Sequence, residues 1–144
     1  MATPLNELDH FLSNQQRNNY DVVVGCRLAR LGANIKREPI RHYLGRLFAT
    51  TVSSLLRLPL YDSQCGAKIF RRELAAQVFS RPFVSRWLFD VEIFRRIVLL
   101  YGREKTIRMI YECPLYQWLD VKGSKLTKSK MLKTPIELWK IFHS

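Results

Sequence analysis

Asp21-Val22-Val23-Val24-Gly25 is the segment from which the fold class follows, because consecutive β-branched residues ending at a glycine are typical of a buried strand. Two later segments, Lys68–Phe70 and residues 107–113, also have the pattern of short strands. The first predicted helix begins at Thr3-Pro4. Four more are predicted over residues 42–58, 72–79, 89–101 and 134–142. Strands that alternate with helices predict an α/β sheet.

The chain has 144 residues, the usual size of one domain, and it has no Gly-, Pro- or Ser-rich linker that would divide it. Three cysteines are too few for a disulfide scaffold and indicate a reducing, cytoplasmic setting. No apolar run approaches the roughly 18 residues that a membrane span needs. Three strands are few for a doubly wound sheet, so we expect part of a larger domain.

The net charge is strongly positive. Twenty-four Lys and Arg residues against 12 Asp and Glu residues give +12. Such a charge attracts phosphate groups, whether they belong to nucleic acid, to a nucleotide sugar or to an anionic membrane. Composition alone does not separate these three partners.

Three segments combine polar side chains in patterns that are typical of binding sites. Their sequences are Asp62-Ser63-Gln64-Cys65-Gly66-Ala67-Lys68, Arg86-Trp87-Leu88-Phe89-Asp90-Val91-Glu92 and Val121-Lys122-Gly123-Ser124-Lys125-Leu126. The first places a carboxylate and small residues before a strand, and the second places two carboxylates at the start of a helix. The third is a loop suited to hold an anion through backbone N–H groups and an ammonium group.

Together with Gly25-Cys26-Arg27 and the arginines at 37, 41 and 46, these segments resemble the family 2 glycosyltransferases that act on a polyprenyl phosphate. The order of the motifs is most similar to that of the dolichyl-phosphate glucosyltransferases, from about Thr3 to Leu126. The resemblance implies a GT-A domain, an α/β Rossmann-like fold.

The resemblance is to only part of that domain. The Asp-x-Asp motif that holds Mg²⁺ or Mn²⁺ in the family would precede Thr3-Pro4, and no Asp-x-Asp occurs in this sequence. We therefore expect residues 1–144 to form the C-terminal, acceptor-side portion of one glycosyltransferase domain, with the metal ligands of the complete enzyme absent from this chain. Residues 132–144 are amphipathic and are expected to face the membrane.

The resemblance implies catalytic roles for three carboxylates, Asp62, Asp90 and Glu92. Asp62 is expected to orient or deprotonate the attacking group, and Glu92 to lie beside the donor sugar. The residues by themselves leave open that Asp62 is a turn residue and that Asp90 is a helix cap.

A second set of side chains is predicted to bind substrate or phosphate. The set consists of Arg27, Arg37, Arg41, Arg46, Gln64, Cys65, Gly66, Lys68, Ser124 and Lys125. Arginine suits this role because its guanidinium group pairs with two phosphate oxygens at once. The alternative, a solvated basic face, stays open at this point.

The activity implied is the inverting transfer of a hexose from UDP-glucose or GDP-mannose to a polyprenyl or dolichyl phosphate. The enzyme is expected to be peripheral, at the cytoplasmic face of a membrane, with a nucleotide sugar, the anionic membrane surface and the missing N-terminal half as partners, and without nucleic acid. This chain alone is expected to be inactive. The alternatives are a basic nucleic-acid-binding module, a non-catalytic remnant, or one half of a split enzyme.

Overall fold

The computed structural model describes residues 3–36, 39–119 and 128–143. Its strands are β1 (Val22–Cys26), β2 (Asn34–Lys36), β3 (Lys68–Phe70), β4 (Ile110–Pro114) and β5 (Gln117–Leu119). Its helices are α1 (Glu7–Asn18), α2 (Pro39–Leu56), α3 (Arg72–Val78), α4 (Phe89–Tyr101), α5 (Arg103–Met109) and α6 (Lys128–His143). The α/β class predicted from the sequence is confirmed.

Strand β1 is the centre of a three-stranded sheet. It pairs antiparallel with β3 and parallel with β4, which gives the strand order β3-β1-β4. Beyond the ends of β1 and β4 the chain continues into a second, parallel pair formed by β2 and β5. Backbone hydrogen bonds join the two sheets, since Leu115 N donates to Cys26 O and Asn34 N to Tyr116 O.

All five residues of β1 are buried, as expected for a strand that is covered on both faces. Successive side chains of a strand point to opposite faces. Val22 and Val24 therefore pack into the larger core with α2, α3, α4 and α6, whereas Val23 packs with Phe11 of α1 on the other face.

The prediction of a strand over residues 107–113 is wrong for its first three residues. Residues 103–109 form α5, and β4 begins only at Ile110. Gly102, with a φ of 75°, ends α4, and its carbonyl accepts hydrogen bonds from both the backbone N–H and the hydroxyl of Thr106. The two buried residues of α5, Thr106 and Met109, are three apart, which is helical rather than strand spacing.

The last helix also begins earlier than predicted. Helix α6 starts at Lys128 rather than at the predicted residue 134, and Pro135 lies inside the helix. Packing of Leu138 and Ile141 into the core fixes this segment, which shows tertiary contacts overriding a local helix breaker. Within residues 132–144, the segment predicted to face the membrane, Leu138 and Ile141 are therefore part of the core, while Ile136 and Trp139 are exposed.

Two strands were not predicted from the sequence. Strands β2 and β5 have only three residues each, too few for a periodicity of two to be recognised. In the part of the chain that the structure describes, no helix has both the length and the hydropathy to cross a bilayer.

Gly25 permits the close approach of β1 to the loop before β3. A Cβ atom added there would lie 2.9 Å from Cys65 Sγ, 3.1 Å from a ring carbon of Phe11 and 3.3 Å from Ala67 Cβ. We predict that Gly25→Ala lowers the free energy of unfolding by about 1–3 kcal/mol, because the added methyl group overpacks a filled core. Urea denaturation measures this change. Gly66→Ala is the matched control, since no atom lies within 4 Å of its added Cβ, and equal losses in the two variants would contradict the prediction.

Candidate functional site

The candidate site lies where the parallel strands β1 and β4 end and the antiparallel β3 begins. In open α/β sheets, ligands bind outside the carboxyl ends of the strands. Arg27 directly follows β1, the loop containing Asp62 precedes β3, and Lys68 is the first residue of β3. The fold therefore brings together side chains that are distant in the sequence.

Arg27 and Asp62 form a two-pronged ion pair at this edge. Arg27 Nε donates to Asp62 Oδ2 at 2.6 Å, Arg27 Nη2 donates to Oδ1 at 2.7 Å, and the Arg27 backbone N–H also donates to Oδ2 at 3.1 Å. The side chains are 16% and 9% exposed. Burial opposes the charge of Arg27, but the hydrogen bond and charge of Asp62 outweigh it and raise the pKa of Arg27. Asp62 is thus more than a turn residue, because it fixes a guanidinium group.

Lys68 and Asp90 form a second buried ion pair beside the first. Lys68 Nζ donates to Asp90 Oδ1 at 2.6 Å and to the Cys65 carbonyl at 2.5 Å. Burial raises the pKa of Asp90, an effect that the Lys68 ammonium partly offsets. Asp90 is not the helix cap that the sequence left open: Leu88 occupies the N-cap position, and the Asp90 side chain ties α4 to β3.

Glu112 of β4 is a site residue that the sequence reasoning missed. Its Oε2 accepts the backbone N–H of Tyr61 at 2.7 Å, and its Oε1 accepts that of Asp62 at 2.8 Å. Burial raises the pKa of Glu112, and the two N–H donors partly lower it. The only signal in the sequence was Ile110-Tyr111-Glu112-Cys113, where a carboxylate lies within the predicted strand.

Arg46, predicted to bind phosphate, supports the same loop. Its Nη1 donates to the Tyr61 carbonyl at 2.5 Å, and its guanidinium carbon lies 3.6 Å from the centroid of the Tyr61 ring. Arg46 and Glu112 therefore hold the backbone of residues 61–62 from two directions. Their joint effect is to set the position of the Asp62 carboxylate.

Glu92 is placed in different contacts from those of Asp62 and Asp90. Its Oε2 accepts the Val84 backbone N–H at 2.9 Å, and its Oε1 accepts Arg96 Nη2 at 2.7 Å. The Arg96 guanidinium group also donates to the carbonyls of residues 78, 81 and 82. These bonds anchor the segment before α4, and the catalytic role predicted for Glu92 stays a prediction.

The other predicted residues divide into two groups. Cys65 is fully buried against Gly25, and burial raises the pKa of its thiol, whereas Gly66 is exposed and Gln64 half-buried. Arg37, Ser124 and Lys125, together with the Arg41 side chain, lie outside the described residues. Within residues 3–36, 39–119 and 128–143, no three His, Cys, Asp or Glu side chains are grouped as metal ligands would be. These residues do not fit the divalent metal that the family implies, and we derive no step through it.

Glu112 makes the stability of the fold depend on pH. A carboxyl with a higher pKa when folded binds its proton more tightly in the folded state, so stability is lost as the pH rises from 4.5 through the folded pKa. We predict that Glu112→Gln, which cannot ionise, is most destabilising relative to the wild type at low pH, and that the difference shrinks as the pH rises. Urea denaturation at several pH values tests this. The exposed Glu104→Gln is the control, and a difference that grows with pH would refute the prediction.

Comparison with known proteins gives the site its context. Over 125 residues the chain is 34% identical to a dolichyl-phosphate beta-glucosyltransferase of Trichomonas vaginalis, a match that covers 86% of this chain and 35% of that protein. The corresponding protein of Dictyostelium discoideum is 32% identical over 84% of this chain and 36% of its own length. The dolichyl-phosphate beta-glucosyltransferase of Saccharomyces cerevisiae is 36% identical, over 73% of this chain and 30% of its own length. No family model matches the chain, and no solved structure does.

These matches relate the chain to the family 2 glycosyltransferases, and its α/β fold agrees with part of a GT-A domain. Within that class, the chain is related to the dolichyl-phosphate beta-glucosyltransferases, and the resemblance seen in its motifs is confirmed. It spans about a third of the length of these curated relatives.

Proposed function

We propose that the chain forms the acceptor side of a glycosyltransferase that moves glucose from UDP-glucose to dolichyl phosphate. The observation that carries the proposal is the set of matches to proteins of that name over most of this chain. The names of the relatives favour glucose over mannose, and hence UDP-glucose over GDP-mannose. We also propose that the part of such a domain that lies outside this chain binds the nucleotide.

In the proposed reaction, a phosphate oxygen of the lipid attacks C1 of the glucose while the bond from C1 to the nucleotide diphosphate breaks. A single displacement of this kind inverts the configuration at C1. The lipid phosphate is already an anion at neutral pH, so positioning matters more than removal of a proton. As the resemblance implies, we also propose that the complete enzyme holds Mg²⁺ or Mn²⁺ through residues outside this chain, where the ion would supply positive charge to a diphosphate.

The Arg27–Asp62 pair suits the positioning of an anion. Asp62 engages Nε and Nη2 of the guanidinium group, and Nη1 takes no part in that pair. A phosphate oxygen bound at Nη1 would gain a charge-assisted hydrogen bond from a group whose orientation is already fixed. The Asp62 carboxylate would then set the angle at which the lipid phosphate approaches.

We also propose that the protein is peripheral at the cytoplasmic face of a membrane. Large apolar side chains are exposed on α2 and α6, including Leu47 at 69% and Trp139 at 62%, on a chain with a net charge of +12. Exposed apolar residues among cations favour binding at an anionic lipid interface. Such a location would bring the site to its lipid acceptor.

Sedimentation of the purified chain with vesicles tests the acceptor assignment. Phosphatidylcholine vesicles that carry dolichyl phosphate should retain the chain more strongly than vesicles of equal charge that carry phosphatidylserine. Equal retention would show that the chain recognises only the negative charge of the vesicles, and it would contradict the proposal. Tighter, salt-dependent binding to a DNA duplex would instead support the nucleic-acid-binding alternative.

A further inference from the structure

Strand β5 is too short to fix its own position. Within the part of the chain that the structure describes, its three residues pair only with the three residues of β2. A two-stranded pair of this kind is marginally stable without support from other elements. Trp118 is the central residue of β5, so the position of its indole ring depends on how the turn before the strand is held.

Glu7 of α1 holds that turn from a distant part of the sequence. Its Oε1 accepts the backbone N–H groups of Tyr116 at 2.9 Å and of Gln117 at 2.7 Å. The residue is 4% exposed, and its Oε2 is buried as well. Hydrogen bonds that a carboxylate accepts are among the stronger ones in proteins, and water has little access to compete for these two. Glu7 therefore acts on the backbone of its own chain rather than on a ligand.

Trp118 connects this anchoring to the candidate site. It is 9% exposed and belongs to the smaller core cluster with Phe11 and Leu115. The guanidinium carbon of Arg27 lies over its ring, 5.2 Å from the centroid, which is close enough for a cation–π attraction. Asp62 binds the same guanidinium group through Nε and Nη2. The carboxylate and the indole ring therefore constrain Arg27 by two different contacts.

We propose that Glu7 and Trp118 are positioning residues of the anion site at Arg27. Glu7 fixes the turn before β5, the strand then holds the Trp118 ring, and the ring limits the directions in which the Arg27 guanidinium group can turn. Nη1, which takes no part in the pair with Asp62, is thereby presented to an anion in one orientation. The inference deepens the proposed function and rests on it only for the identity of the anion, a lipid phosphate.

Hydrogen exchange of the Arg27 Nε–H group, measured by NMR on the full chain, tests the positioning without requiring turnover. The rate is compared with that of the β1 amides, which reports unfolding of the whole sheet. We expect Glu7→Met to accelerate exchange at Arg27 roughly fivefold or more relative to those amides, because a displaced ring no longer attracts the guanidinium group. Glu7→Gln should exchange as the wild type does, since its side-chain oxygen can still accept both N–H groups. Asp9→Asn, which removes an exposed carboxylate from the same helix, is the control and should change nothing.

Trp118→Phe tests the second link and decides the matter if Glu7→Met fails to fold. It keeps an apolar aromatic side chain in the core cluster, but its smaller ring covers less of the guanidinium group, so relative exchange at Arg27 should rise. Trp139→Phe is the matched control, because that ring is 62% exposed on α6 and should leave the exchange unchanged. Unchanged relative exchange at Arg27 in a folded Trp118→Phe protein would overturn the proposal. So would equal acceleration in Glu7→Gln and Glu7→Met.

Titration with geranyl phosphate separates the inference from the proposed function. We expect this ligand to shift the Arg27 Nε–H signal and to bind roughly fivefold more weakly to Trp118→Phe than to the wild type. If exchange responds as expected but geranyl phosphate does not bind at Arg27, the positioning stands and the proposed acceptor site is wrong. If geranyl phosphate binds at Arg27 with equal affinity in both proteins and exchange is unchanged, the positioning is wrong and the proposed function stands.

Discussion

In a hybrid that joins this chain to the part of the Dictyostelium relative that it does not match, Asp62→Asn is expected to reduce glucose transfer roughly a hundredfold or more, while nucleotide binding is nearly unchanged. The amide keeps one oxygen acceptor but turns an N–H₂ group toward the Arg27 guanidinium, so one of the bonds at 2.6 and 2.7 Å must be lost. Misplacing a positioning group by about 1 Å costs on the order of 10² in rate. Initial rates with UDP-glucose and dolichyl phosphate measure the effect.

Asp21→Asn is the matched control for this change. Asp21 also pairs with an arginine, but its Oδ1 lies 3.4 Å from Arg71 Nε, and the two side chains are 33% and 40% exposed. Exposed ion pairs contribute little to stability, and this pair lies outside the candidate site. Wild-type turnover in Asp62→Asn, or an equal loss in Asp21→Asn, would show that Asp62 has no special role.

Lys68→Met is expected to lower the free energy of unfolding by about 3–5 kcal/mol, because it leaves Asp90 buried without its ammonium partner. The Lys68 and Asp90 side chains are only 4% and 11% exposed, so water cannot readily replace the lost contact. Urea denaturation measures the loss. The exposed Lys105→Met should change the stability by no more than about 0.5 kcal/mol.

The double variant Lys68→Met with Asp90→Leu separates stability from function. Replacing both members of a buried ion pair by apolar residues of similar size is often neutral or stabilising. We therefore expect it to regain most of the stability lost in Lys68→Met, whereas transfer by the hybrid stays low. Recovery of transfer along with stability would assign the pair a purely structural role.

Much of the fold follows from local patterns in the sequence. The β-branched run at residues 22–24 predicted the central strand, and the apolar spacing over Phe89–Tyr101 predicted α4 with both ends correct. Helix α6 was misjudged at Pro135, because the contacts of Leu138 and Ile141 that stabilise it come from distant parts of the chain. Short strands such as β2 depend on pairing that no local pattern encodes.

The candidate site was predictable only in part, and for the same reason. The motif around Asp62 and Lys68 could be recognised from residue order, but its ion-pair partners depend on how the strands assemble. Glu112 acts through the backbone N–H groups of Tyr61 and Asp62, far away in the sequence, and residue types and spacing do not reveal such a contact. The contact of Arg46 with Tyr61 likewise depends on the fold, and its predicted role in binding phosphate stays a prediction.

Transfer of labelled glucose from UDP-glucose to dolichyl phosphate, measured for the hybrid in the presence of Mg²⁺ and for this chain alone, tests the central claim most directly. The account predicts label in the lipid product, attached with inverted configuration at C1, for the hybrid and none for this chain alone. A folded hybrid that transfers no glucose, under conditions in which the intact Dictyostelium relative is active, would contradict the account.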